Sequence, residues 1–102
     1  MLNVTDANYD NEVVNSKGVV LVDFWAPWCG PCRTMESTME QLAEKGVTIL
    51  KVNIDKEDGL ATRNQVMSIP SFLWFKDGVE VDRSVGLQSI EVLTATYERL
   101  SR

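Results

Sequence analysis

The stretch Val19-Val20-Leu21-Val22-Asp23-Phe24-Trp25-Ala26 is a β-branched and aromatic run of strand length, interrupted by one carboxylate. So continuous a run does not suit a strand with one face in water, and it predicts a central strand covered on both faces. Pro27 and a cysteine pair follow at once. Behind them Met35, Met39, Leu42 and Ala43 fall on one helical face, with Gly46 as the stop. Val47 to Ile54 reads as a second strand, so strand, helix and strand form a right-handed parallel βαβ unit. A shorter helix is expected from about Gly59 to Val66, ending before Ser68-Ile69-Pro70. Ser71–Phe75 and Val79–Arg83 flank Asp77-Gly78, the signal of a tight antiparallel hairpin. Ser89 can cap a last helix with the apolar face Ile90, Leu93, Tyr97 and Leu100, and a short strand near Leu2–Val4 and a helix after Thr5 open the chain. The order β-α-β-α-β-α-β-β-α gives an α/β fold: a mixed five-stranded sheet with about four helices on its two faces.

A chain of 102 residues, 44% hydrophobic, suits one domain over residues 1–102 with a modest core. With 15 acidic against 10 basic residues and no Lys/Arg cluster, neither nucleic acid nor anionic lipid is an expected partner; proteins or small molecules are. No apolar run approaches the roughly 18 residues of a membrane span, and Met1-Leu2-Asn3-Val4-Thr5-Asp6 lacks the basic start and apolar stretch of a signal peptide. A cytoplasmic protein is expected.

The chain contains no histidine, which removes imidazole bases, Ser-His and Cys-His pairs and His metal ligands. Its only cysteines are Cys29 and Cys32, in Trp28-Cys29-Gly30-Pro31-Cys32. A structural zinc site needs four ligands, and no second Cys or His pair exists, so no metal is expected. Covalent haem attachment needs His after the second cysteine, where Arg33 stands. A purely structural disulfide gains little from closing so short a loop. Two inert core thiols are a further alternative, though Gly30-Pro31 suits a turn entering a helix better than a packed core. A reversible dithiol/disulfide fits best. Cys29, at the strand-to-helix junction, meets free N–H groups and the helix dipole, which favour its thiolate as the attacking group. Cys32, one turn further in, is expected to be more buried and less acidic, and to resolve the mixed disulfide.

Here the chain resembles the thioredoxin family. The likeness is carried by Val22-Asp23-Phe24-Trp25-Ala26, Trp28-Cys29-Gly30-Pro31-Cys32, Lys51-Val52-Asn53-Ile54-Asp55, Ile69-Pro70, Phe75-Lys76-Asp77-Gly78 and Val85-Gly86, in the family's order and spacing over nearly the whole chain. The resemblance implies the thioredoxin fold and a general protein disulfide reductase. It holds no bound cofactor and draws electrons from an NADPH-dependent flavoprotein thioredoxin reductase. The family likeness also implies a monomeric carrier acting on disulfide-containing proteins. Asp23 then corresponds to a buried carboxylate of raised pKa that takes the proton of Cys32, against the alternative of an ordinary strand-end residue. Lys51 sits near that carboxylate, or else snorkels to solvent. Pro70 resembles the family's cis-proline, where an edge-strand proline is the plainer reading. Trp28, Gly30, Pro31, Ile69, Pro70, Val85 and Gly86 would line a shallow groove that reads substrate through its backbone; for Trp28, core packing competes. Glu36, Glu40 and Glu44 read as a solvated helix face. Ser37 stands where the family usually has a kinking proline, and Ser68 where glycine is common, beside an unusual Met67. A redox-independent interaction subunit and a reductant dedicated to one substrate are the rival functions.

Overall fold

A computed structural model describes residues 1–102. Five strands, β1 (Leu2–Asn3), β2 (Val19–Trp25), β3 (Thr48–Asn53), β4 (Ser71–Lys76) and β5 (Val79–Val85), form one sheet in the order β1-β3-β2-β4-β5. β1, β3 and β2 run parallel, while β4 is antiparallel to β2 and β5 to β4. The helices are α1 (Gly30–Thr34), α2 (Glu36–Glu44), α3 (Asp58–Arg63) and α4 (Ile90–Leu100).

The alternation of side chains along β2 explains its unbroken apolar run, because both faces are covered. Val20, Val22 and Phe24 join Tyr9, Val13, Leu60 and Leu73 on one side. Leu21 meets Met35, Met39, Leu42, Trp74 and Leu93 on the other, beneath α2 and α4. By the same alternation Asp23 lies on the Leu21 side, in register with Lys51 of β3 and Phe72 of β4. Burying a large side chain such as Phe24 or Trp74, both essentially inaccessible, contributes about 1.5–3 kcal/mol each.

Three local features depart from the sequence reading. The helix expected after Thr5 is a π-helical turn, Asp10–Val14, marked by the five-residue bond from the Asn15 N–H to the Asp10 carbonyl at 2.8 Å. The helix behind the cysteines is interrupted at Met35, whose N–H is shared between the Pro31 and Cys32 carbonyls, 3.1 Å each. The break therefore arises without a proline at position 37. α3 ends at Arg63 rather than Val66, because Gln65 turns left-handed at φ 56°. Its N–H bonds the Thr62 carbonyl at 3.0 Å and that of Val66 bonds Ala61 at 2.9 Å, a Schellman closure.

The β4–β5 turn has positive φ at both Asp77 (51°) and Gly78 (84°), the geometry of a type I′ hairpin. A side chain at Gly78 would also collide with the Val14 carbonyl. Ser89 Oγ caps α4 by accepting the Val92 N–H at 3.2 Å. Lys76 Nζ donates to the Leu100 carbonyl at 2.7 Å at the helix's other end, placing a cation where the dipole is negative. No helix is long and apolar enough to cross a membrane.

Candidate redox site

β2 ends at Trp25 and the chain reaches α1 in four residues, so the cysteine pair stands where a parallel strand delivers the chain to a helix start. Cys29 is the N-cap of α1 and extended (φ −85°, ψ 111°), and its Sγ accepts the Cys32 N–H at 3.1 Å. Pro31, in the first turn, has no N–H to leave unsatisfied. Cys29 and Cys32 are joined in a disulfide, with their Cα atoms 5.2 Å apart. When that bond is reduced, a negative charge on Cys29 Sγ meets an N–H already directed at it and the positive end of the helix.

The expected difference in burial is absent. Cys29 is 3% exposed and Cys32 6%, so in the oxidised form Cys29 is no more open than its partner. Both pack with Ala26, and Trp25, Ile54 and Ile69 close over the cluster. What distinguishes the two sulfurs is position: Cys29 caps the helix and accepts the Cys32 N–H, and Cys32 does not.

Asp23 is 5% exposed, and its Oδ1 has no hydrogen-bond partner. Burial raises its pKa from 3.8 to about 7; the Lys51 charge opposes the rise and that of Glu36 adds to it. Lys51 makes no ion pair with Asp23. Its Nζ rests over the Trp25 ring, 4.3 Å from the centroid, a cation–π contact that keeps the ammonium beside the carboxylate without quenching it. A cavity of about 580 Å³ lined by Trp25, Pro27, Lys51 and Lys56 opens at this edge but includes neither cysteine.

A smaller cleft of about 230 Å³ lies beside the cysteine cluster, with which it shares Ile54 and Ile69, though neither cysteine lines it; Trp28, Ala61, Val66, Met67 and Ser68 complete its wall. Trp28 is 64% exposed, which removes core packing as its role. Its indole N–H donates to both carboxylate oxygens of Asp55, at 3.1 and 3.0 Å. The Ile69–Pro70 peptide is cis and Pro70 is buried. The Gly86 N–H bonds the Pro70 carbonyl at 2.8 Å and Val85 pairs with Ser71, which brings Val85 and Gly86 alongside Pro70. Gly30 is half-buried and Pro31 exposed at the start of α1.

The structure thus sets Trp28 and Ile69 on a cleft beside the Cys29–Cys32 pair, with Pro70, Val85 and Gly86 adjoining Ile69, and sets Asp23 and Lys51 as neighbours across β2 and β3. Three contributors escaped the sequence reading. Asp55 fixes the Trp28 ring, Ile54 packs on the cysteine cluster, and Glu36, exposed on its helix face as expected, still adds to the rise in the Asp23 pKa. Only Asp55 had a signal, as a carboxylate just past an apolar strand end.

Known proteins share this arrangement. The Thioredoxin family model matches residues 1–99. Thioredoxins of Staphylococcus aureus, from strains Mu50 and COL, are 43% identical over 102 residues, covering 97% of this chain and 96% of theirs. A solved mutant thioredoxin from Halobacterium salinarum NRC-1 superposes with a TM-score of 0.91 at 34% identity, covering 99% of this chain and 90% of that one. With the family's sheet, its dithiol motif and a bonded cysteine pair at the head of a helix, the chain belongs to the thioredoxin family and is a protein disulfide oxidoreductase working through Cys29 and Cys32.

Proposed function

We propose that Cys29 is the attacking thiolate and Cys32 the resolving thiol in the reduction of protein disulfides. The observation that carries this assignment is the Cys32 N–H directed at Cys29 Sγ from the first turn of α1. Cys29 thiolate attacks one sulfur of a substrate disulfide, a mixed disulfide forms, and the first substrate thiolate leaves. Cys32 then loses its proton to Asp23 and attacks Cys29 Sγ, so the Cys29–Cys32 bond forms and the second substrate thiolate departs. Two electrons pass to the substrate in all; its two thiolates take up protons from solvent, into which Asp23 releases the one it took from Cys32. A carboxyl with a pKa of about 7 is close to half ionised at neutral pH, which suits a group that must accept and later release a proton. Lys51 steadies the ionised form from its perch on Trp25.

Substrate lies in the cleft between Trp28 and Ile69, its backbone beside Ile69-Pro70 and its far side on Gly30, Pro31, Val85 and Gly86. The apolar, shallow lining supports recognition of an extended segment around a disulfide. Electrons come from NADPH through a flavoprotein thioredoxin reductase, and the chain acts as a one-domain, monomeric carrier in the cytoplasm. Purified reductase, NADPH and insulin test the reading. Wild type should sustain NADPH oxidation and Cys29→Ser should abolish it; retained turnover in that variant would point to a role independent of the dithiol.

A further inference from the structure

The Met67–Ile69 wall of the cleft is a loop, and the contact that fixes its start comes from a strand whose sequence gave no sign of involvement. Arg83 of β5 is locked in a fork on Glu80, Nε to Oε2 at 2.6 Å and Nη2 to Oε1 at 2.9 Å. Its remaining donors reach across to the end of α3: Nη2 to the Asn64 carbonyl at 2.8 Å and Nη1 to the Gln65 carbonyl at 3.2 Å. Gln65 is the residue in the left-handed region, where glycine is favoured and a glutamine needs outside support. The loop then runs through Val66 and Met67, which is 95% exposed, to Ile69 against the cysteines. Its far end is held by Ser71 Oγ donating to the Ser68 carbonyl. Asn64 is fixed as well by the Tyr9 hydroxyl at 3.1 Å and by its own Nδ2 on the Leu60 carbonyl at 2.9 Å.

We propose that Arg83 is a positioning residue for the substrate cleft, holding the Asn64–Gln65 turn so that Met67, Ser68 and Ile69 stand at a fixed distance from Trp28. Arg83 touches neither cysteine nor the cleft, and acts only through the turn. The planar guanidinium is what the task requires, since a fork on Glu80 must leave N–H groups free for two carbonyls; a lysine ammonium has no such geometry. The inference rests on the cleft being where substrate docks.

The test compares wild type, Arg83→Ala and Arg83→Lys. In insulin reduction, both variants should raise KM about fivefold with kcat unchanged, the pattern of lost positioning rather than lost chemistry. Alkylation of Cys29 by iodoacetamide should keep the wild-type rate, and amide exchange at residues 66–69 should quicken by about tenfold or more. Arg83→Lys serves alone if the alanine variant does not fold. Unchanged KM in a folded variant overturns the proposal, as does a parallel fall in kcat and Cys29 reactivity, which would mark general damage. If wild type itself shows no saturable insulin reduction, the docking reading fails instead, and exchange at 66–69 alone decides whether Arg83 holds the loop.

Discussion

Replacing Asp23 by asparagine should stabilise the protein in a manner that depends on pH. The carboxyl titrates near 3.8 when the chain is unfolded and at about 7 when folded. Below pH 3.8 it is protonated in both states and carries no penalty. From there upward the folded form retains a proton that the unfolded form has released, so stability falls by up to about 1.36 kcal/mol per pH unit until the folded group also ionises. Three pH units of separation give a penalty of about 4 kcal/mol, complete above pH 7. Asparagine is isosteric and does not titrate. Its buried amide brings a cost of about 1–3 kcal/mol that is the same at every pH. The stability difference between variant and wild type should therefore grow by about 4 kcal/mol from pH 4 to pH 8, whatever its value at pH 4. Urea melts of the oxidised protein at one-unit intervals measure it directly, provided the slope m is common to both chains. A difference that stays flat across that range would refute the reasoning and leave Asp23 an ordinary satisfied carboxylate. The same variant should resolve its mixed disulfide more slowly, by about 10²-fold or more, because the proton of Cys32 loses its acceptor.

In the reduced protein, brief alkylation at pH 7 followed by peptide mapping should label Cys29 at least about tenfold faster than Cys32, since only Cys29 caps the helix; equal labelling would remove the assigned roles. Gly78→Ala should destabilise the fold by about 1–3 kcal/mol in denaturant melts, because alanine at φ 84° is strained and its methyl group meets the Val14 carbonyl.

Elements that announce themselves through local chemistry were legible in the sequence. The β-branched runs of β2 and β3, the Asp77-Gly78 turn and the Ser89 cap each depend on residues within a few positions, and the cysteine pair carries its own chemistry. What could not be read either lacks its usual local signal or depends on residues far apart in the chain. The interruption at Met35 replaces a proline that the sequence lacks, and α3 stops at a glutamine where glycine would have been the signal. Trp28 is oriented by Asp55, and Gln65 by Arg83, through hydrogen bonds that no spacing rule predicts. The relative burial of the cysteines was misjudged because helix position fixes which sulfur caps the first turn, whereas exposure depends on Ile54 and Ile69 arriving from other elements.

The strand order also has a consequence for synthesis on the ribosome. β2 sits in the middle of the sheet, yet of its two neighbours β3 is translated soon after it and β4 only after a further helix and loop. Once residues through Asn53 have emerged, the parallel pair with its helix can assemble, leaving the other edge of β2, rich in valine, leucine and phenylalanine, unpaired. The cysteines are by then at the head of their helix, while Ile69 and Pro70 are still to come. A nascent chain paused at this length offers both an aggregation-prone edge and an unshielded dithiol, and translation through Lys76 covers both.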